Sequence, residues 1–200
     1  MPSRSPFALL LLLLASAASV ATSPAETSDD TGGDTHTDTH TDTHTDSAIA
    51  LTPAPDLTAL VREGGCADVL MHLGSETGDL VLVFTTDGVA EAAYAAKDKQ
   101  ARVTLDLATE SALQLWEGVD VTNLPCNDAL YGTEEVHTTW TASSGSADLR
   151  VTSLGEQKPW DAYPGDATLT LTDVVLTADG AEDVRFDSLS WSAAVGWLPG

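Results

Sequence analysis

Basic residues are scarce in this sequence: eight Lys and Arg stand against 31 Asp and Glu, which gives a formal net charge of −23 at pH 7. Arg4 is the only basic residue before position 47, and seven of the acidic residues fall within 24–46. Residues 47–200 therefore carry a net charge of −17. A surface of that sign repels phosphate backbones and anionic headgroups, so we expect no binding to nucleic acid or to anionic membranes.

Long apolar runs are also missing, apart from one near the N-terminus. The run Ala8–Leu14 is too short to span a membrane as a helix. It follows Arg4 and precedes small residues, and that order is typical of a secretory signal peptide. We predict a signal peptide over 1–21, cleaved after Ala17 or Ala21; the alternative is an uncleaved anchor. The expected product is exported, secreted or periplasmic, without stable membrane insertion after cleavage.

The sequence has two cysteines, Cys66 and Cys126. Two thiolates exclude a four-cysteine zinc site, and their spacing excludes a Cys-x-x-Cys redox pair. Because export leads to an oxidising compartment, we predict a disulfide between them; the alternative is two buried free thiols. A bridge that closes about 60 residues stabilises the fold by roughly 4 kcal/mol in the chain-entropy estimate.

The common catalytic motifs do not occur. "GSETG" at 74–78 places Ser75 one position too early for a nucleophile elbow. The Rossmann, phosphate-loop and His-Glu-x-x-His patterns are absent from the sequence. A Ser-His-Asp triad would have to use His72 or His137, and both alternate with apolar strand residues, which favours structural roles. We predict no enzymatic activity; the alternative is a hydrolase whose carboxylate pair the sequence does not identify.

Residues 22–47 lack large apolar side chains, so we predict a disordered linker rich in Thr, Asp and His. Within it, "DTHTDTHTDTHTD" repeats His36, His40 and His44 every four residues. Imidazole and carboxylate groups are ligands for zinc, copper and nickel. Gathering them from a chain of poor helix formers costs conformational entropy. We therefore favour a solvated tether, with a metal-handling protein as the alternative.

From Gly64 onward the apolar residues recur with a period of two, which predicts strands. Such segments occur near 68–73, 80–84, 103–107, 113–115, 136–140, 149–151, 169–176 and 186–195. Turn pairs separate them at intervals typical of an antiparallel sandwich or barrel. We predict one all-β domain over 48–200, an antiparallel β-sandwich of jelly-roll or Greek-key type with about 8–10 short strands.

Two stretches depart from this pattern. The alternation slips at 173–175, which predicts a β-bulge. The segment 89–101, "VAEAAYAAKDKQA", is rich in alanine, which favours a helix, but it lies between strands. We predict a strand followed by a turn at Lys97–Lys99.

Oxygen ligands cluster at three places that suit calcium. Asn127 adjoins Asp128, and Asp161 lies near Asp166. The third group is Asp179, Glu182 and Asp183, which we predict as the candidate calcium site, with a plain polar turn as the alternative. None of the three has the spacing of an EF-hand loop.

The five tryptophans are the heaviest candidates for the core: Trp116, Trp140, Trp160, Trp191 and Trp197. Trp160 is also paired with Tyr163 in the loop "KPWDAYPG", where the alternative is a sugar-binding platform. Taken with the missing motifs, the sequence predicts an exported, non-catalytic binding or structural module. Its partner is an unknown protein or glycan, and no cofactor is expected.

Overall fold

The computed structural model describes residues 51–110, 112–127, 132–159 and 162–197. It contains eight strands: β1 Leu60–Cys66, β2 Val69–Ser75, β3 Leu80–Thr86, β4 Gln100–Asp106, β5 Leu113–Val119, β6 Glu135–Ser153, β7 Gly165–Thr177 and β8 Val184–Val195. One α-helix, α1, spans Val89–Ala95, and two 3-10 helices span Leu57–Ala59 and Val121–Asn123. In these ranges no helix has the length and apolar character needed to cross a membrane. The predicted signal peptide and linker lie outside them.

All the strand pairs are antiparallel, which confirms the all-β prediction. The strands run in the order β1-β2-β3-β5-β6-β7-β8, and β4 pairs with the second half of β6. They belong to one sheet, whereas a sandwich has two. The sheet curls until its first and last strands meet at one end. There Ala67 N donates to Trp197 O at 2.7 Å, and Gly196 N donates to Ala67 O at 2.6 Å. The sheet is nearly closed.

Paired bulges interrupt the register between β6 and β7, and bulges of this kind bend a sheet. The register shifts around Ser144, and the predicted bulge lies opposite, at Asp173, whose φ is +52°. Leu169 and Leu171 face the core before this point, and Val174 and Leu176 face it afterwards. Position 145 requires glycine, because a Cβ there would lie 2.9 Å from the Cα of Val174. The bulge prediction is confirmed. Because the residues of β6 near the bulge are polar, this single strand looked like two separate strands in the sequence.

The inner face of the sheet holds the main core. Its fully buried side chains include Trp140, Phe84, Met71, Leu82, Leu107, Leu113, Leu115, Leu149, Leu169, Leu171 and Leu176. Trp140 and Trp191 are buried, as predicted. Trp197 is not a core residue, because 42% of its surface is exposed.

The strand predicted for the alanine-rich stretch is wrong, because α1 occupies Val89–Ala95. Val89, Ala90 and Ala93 are buried against the core, so the helix covers part of it. The carboxylate of Asp68, in the β1–β2 turn, accepts hydrogen bonds from Gly88 N and Ala90 N at the start of the helix. This distant cap adds to the helical propensity of alanine. The turn predicted after the helix is present.

A second, smaller core lies on the outer face of β2, β3 and β5. It consists of Val81, Val83 and Val121, with Leu70, Trp116 and Leu124 packed against it. The segment around the 3-10 helix Val121–Asn123 covers this face. The predicted disulfide between Cys66 and Cys126 is present, with Cα atoms 5.6 Å apart, and ties the covering segment to the end of β1.

We expect replacement of both cysteines, Cys66→Ser with Cys126→Ser, to lower the free energy of unfolding by about 4 kcal/mol. The physical reason is the added freedom of a 60-residue loop in the unfolded chain. Urea denaturation measures the loss, and the wild type in reductant is the matched comparison. A loss below about 1 kcal/mol would show that the covering segment is held by packing alone.

The two buried tryptophans offer a test of hydrogen bonding in the core. Trp140 Nε1 donates to Glu182 O at 3.0 Å, whereas Trp191 Nε1 has no partner among the described residues. Both replacements by Phe remove similar volume, but Trp140→Phe also removes a hydrogen bond. We expect Trp140→Phe to destabilise by about 1 to 2 kcal/mol more than Trp191→Phe, measured by urea denaturation. Equal losses would contradict this assignment.

Candidate functional site

Several connections of the sheet meet at one end. The β6–β7 connection begins after Ser153, the residues after β8 begin at Gly196, and the α1–β4 turn lies beside them. Backbone hydrogen bonds join these segments: Ser153 N donates to Lys99 O at 2.8 Å, and Leu154 N donates to Pro164 O at 2.9 Å. The fold thus brings residues from distant parts of the sequence onto one surface.

Two tyrosines form the centre of this surface. Tyr94 lies in the last turn of α1, and Tyr163 lies two residues before β7. Their ring centroids are 5.1 Å apart and the ring planes are inclined by 38°. Both side chains are half-buried, and Gln157 Nε2 donates to the Tyr163 hydroxyl at 3.5 Å. The pair is therefore fixed in position while part of each ring faces solvent.

Gly196 brings the backbone that precedes Trp197 close to Tyr163. The φ of Gly196 is +74°, and a Cβ on it would lie 1.9 Å from the carbonyl oxygen of Tyr163. Only glycine fits so close an approach of two backbones. The chain after Gly196 is held by the backbone bonds to Ala67, and Trp197 remains 42% exposed.

All three lysines of the chain lie in the connections at this end: Lys97, Lys99 and Lys158. Lys99 Nζ lies 4.5 Å from the centroid of Tyr94 and donates to Tyr94 O at 2.5 Å. Lys158 Nζ lies 6.0 Å from the centroid of Trp197 and 2.5 Å from the carboxylate of Glu156. We call Tyr94, Tyr163, Trp197, Lys99 and Lys158 the aromatic end.

The aromatic end contains half of the platform predicted from the sequence. Tyr163 takes part in it, while Trp160 and the neighbouring Asp161 lie outside the described residues. Nearby, Lys158 N donates to Ala162 O at 2.8 Å. Tyr94 and Trp197 were not predicted from the sequence as parts of this surface. The signal that was available is the confinement of lysine to 97–99 and 158.

The residues of the predicted calcium site have other contacts. Glu182 Oε2 accepts a hydrogen bond from Ala54 N at 3.3 Å, and Asp183 Oδ2 lies 2.6 Å from Arg185. Asp179 lies in the β7–β8 turn. In the described part of the chain, no group of three or more His, Cys, Asp or Glu is placed to hold a metal ion. Calcium binding stays a prediction.

The other metal predictions rest mainly on residues that the structure does not describe. His36, His40, His44 and Asp128 fall outside the described ranges. Asp166 is exposed at the start of β7. The histidine tract therefore also stays a prediction of the sequence.

Two adjoining depressions of 310 and 240 Å³ lie between the start of β1 and the β2–β3 turn, and both are lined by Ala59 and Thr77. Asp79 borders the smaller one. Hydrogen bonds from Thr77 at 2.5 Å and from Ser75 at 2.7 Å hold the pKa of Asp79 below its ordinary value. A carboxylate held ionised in this way shapes the turn and is a poor general acid.

Neither histidine of the folded region has the surroundings of a catalytic base. His137 is exposed, with Glu135 3.7 Å away. His72 lies on the outer face of β2 against Gly64, where a Cβ would be 2.2 Å from its Nε2. Its Nδ1 is buried without a hydrogen-bond partner among the described residues, and burial lowers its pKa.

The lowered pKa of His72 predicts a loss of stability in mild acid. In the unfolded chain the imidazole titrates near its ordinary value of 6.5. Below that pH the unfolded state binds more protons, so the free energy of unfolding falls as the pH falls. We expect a decline between about pH 7 and 5 that His72→Gln reduces and the control His137→Gln leaves unchanged. Urea denaturation across this range measures it; identical profiles for wild type and His72→Gln would refute the assignment.

A comparison with protein-family models, with curated proteins and with solved structures found no match for this chain. Within the described surface, the aromatic end combines fixed aromatic rings with nearby hydrogen-bond donors.

Proposed function

We propose that the protein is an exported, non-catalytic binding module whose partner, a glycan or a protein, contacts the aromatic end. The observation that carries the proposal is the position of Trp197. Trp197 is 42% exposed, and it follows the glycine whose backbone lies against Tyr163, so a large aromatic side chain is in contact with water at this end of the sheet. Such area is favourable to cover, and aromatic residues are enriched where partners bind.

Export is supported by the disulfide and by the order of residues at the N-terminus. Cys66 and Cys126 form a disulfide, whereas cytosolic reductants would keep them as two free thiols. The apolar run after Arg4 supplies the route to an oxidising compartment. A binding module in the envelope or outside the cell suits both features.

Rigidity also favours binding over a purely structural role for these residues. Gly196 and Ala67 fix the backbone before Trp197, and the core fixes Tyr163 and α1. A surface that is already ordered loses little conformational entropy when a partner binds. The lysines add donors at its border.

The test measures the fraction of purified mature protein that is retained on envelope material from the producing cells. The wild type is compared with variants of the aromatic end. We expect Trp197→Ala and Tyr163→Ala to reduce the retained fraction by about tenfold, because each removes aromatic contact area from the surface. Trp197 is exposed, so its replacement should leave the fold intact, and a thermal melt checks this for both variants.

Val119→Ala is the matched control, since Val119 is 45% exposed but lies at the other end of the sheet, where it pairs with Glu135. It should be retained like the wild type. Equal retention of all four proteins, or no retention of the wild type, would show that the aromatic end is not a binding surface.

A further inference from the structure

We infer that two copies of this protein pair through the free edges of β4, antiparallel and about a twofold axis at Thr104. Two observations carry this pairing. The backbone of β4 has a strand partner on one side only among the described residues. In addition, Arg102 and Asp106 lie two residues on either side of Thr104, so the edge is complementary in charge to a second copy of itself.

The backbone of β4 shows which groups are available. Lys99 O accepts a hydrogen bond from Ser153 N, and Leu107 N donates to Gly145 O, so the odd-numbered residues face β6. Backbone groups alternate between the two sides of a strand, so those of the even-numbered residues point away from β6. The even-numbered residues are Gln100, Arg102, Thr104 and Asp106. Of their backbone groups, only the carbonyl of Asp106 has a hydrogen-bond partner in the described part of the chain.

The apolar side chains of β4 are less buried than those of the strand beside it. Ala147 and Leu149 of β6 are fully buried, whereas Leu105 and Val103, which lie opposite them in β4, are half-buried. A depression of about 300 Å³, lined by Leu105 and by the end of β3, borders this part of β4. A further strand along the edge would cover apolar surface that one copy leaves in water.

The edge lacks the features that usually prevent such pairing. Exposed strand edges commonly carry a proline, a bulge or a charge that points inwards. β4 contains no proline, its register with β6 is continuous, and its charged residues occupy the exposed positions of the alternation. The edges of β1 and β8 meet each other at Ala67, whereas the free edge of β4 meets no other strand that the structure describes.

Charge selects one register for the pairing. Hydrogen bonds form only where outward-facing residues lie opposite one another, so the twofold axis lies at one of the positions 102 to 106. An axis at Arg102 or Asp106 places like charges opposite each other, which destabilises a sheet. An axis at 103 or 105 places Arg102 opposite an uncharged residue. An axis at Thr104 places each Arg102 opposite Asp106 of the other copy, which is the favourable arrangement.

The groups needed in this register are available. Thr104 N and O of each copy can bond to those of the other, and Asp106 N can donate to Arg102 O. The guanidinium of Arg102 uses Nε and Nη2 to bind Asp148, which leaves Nη1 for a second carboxylate. On the inner side of the strand, Val103 of one copy lies opposite Leu105 of the other.

Sedimentation velocity of the purified mature protein measures the association. The overlap is short, so we expect a dimer with a dissociation constant on the order of 50 µM. The measurement covers about 5 to 500 µM protein in roughly 0.3 M NaCl, because the negative charge of the chain opposes association and salt screens it.

Charge reversal tests the contact across the axis. Arg102→Glu places Glu opposite Asp106, and Asp106→Lys places Lys opposite Arg102, so each should raise the dissociation constant about tenfold. The double variant restores opposite charges and should return to within about threefold of the wild type. Arg150→Glu is the matched control, since Arg150 is exposed on β6 and its reversal changes the net charge by the same amount as Arg102→Glu. It should associate like the wild type.

Cysteine cross-linking tests the register by itself. In the proposed dimer the Cα atoms of the two Thr104 residues lie about 5.5 Å apart, so Thr104→Cys should form an intermolecular disulfide in air. The two Gln100 residues lie roughly 27 Å apart along the strands, so Gln100→Cys should stay monomeric on a non-reducing gel. Thermal melts of all the variants confirm that the fold is intact.

Three results would overturn the proposed dimer. The first is a wild type that stays monomeric up to about 500 µM, tenfold above the expected dissociation constant. The second is a dimer that Arg102→Glu weakens no more than Arg150→Glu does, or that the double variant does not restore. The third is cross-linking of Gln100→Cys as fast as that of Thr104→Cys.

Discussion

Two backbone hydrogen bonds at Ala67 join the first strand to the chain that follows the last one, and much of this structure depends on them. They require β1 and β8 to approach closely, which Gly65 permits because a Cβ there would lie 2.7 Å from Ala194 O. The same contact places Gly196 against Tyr163 and so positions Trp197. The same backbone contacts therefore close the sheet and position the aromatic end.

Arginine and lysine residues occupy different kinds of position in the fold. Arg102 and Arg185 lie at exposed positions of β4 and β8 and pair with Asp148 and Asp183. The three lysines instead lie in connections, and two of them, Lys99 and Lys158, lie over aromatic rings. On a surface of high negative charge, this arrangement gives one region of balanced charge where an apolar contact is not opposed by repulsion.

Sequence patterns predicted β2 to β8, as with the buried alternating residues Leu169 and Leu171 of β7, but they missed β1, in which only the two end residues, Leu60 and Cys66, are buried. The disulfide was predicted from the two cysteines and from the oxidising compartment that export implies. α1 was missed because its cap, Asp68, lies more than 20 residues away, and the single curled sheet was missed because closure rests on the backbone at Ala67 and Gly196. Tyr163 was predicted from its loop, but its contact with Tyr94 joins residues about 70 positions apart, which no local pattern encodes.

The disulfide also divides the strands into two groups. Cys66 and Cys126 enclose β2, β3, α1, β4 and β5 in one covalent ring, and β6, β7 and β8 follow it in the sequence. The covalent ring therefore contains none of the last three strands, and reducing or forming the bridge leaves their chain connections unchanged. Ala67, the residue next to Cys66, pairs with Gly196 and Trp197, so the noncovalent closure of the sheet begins directly beside its covalent closure.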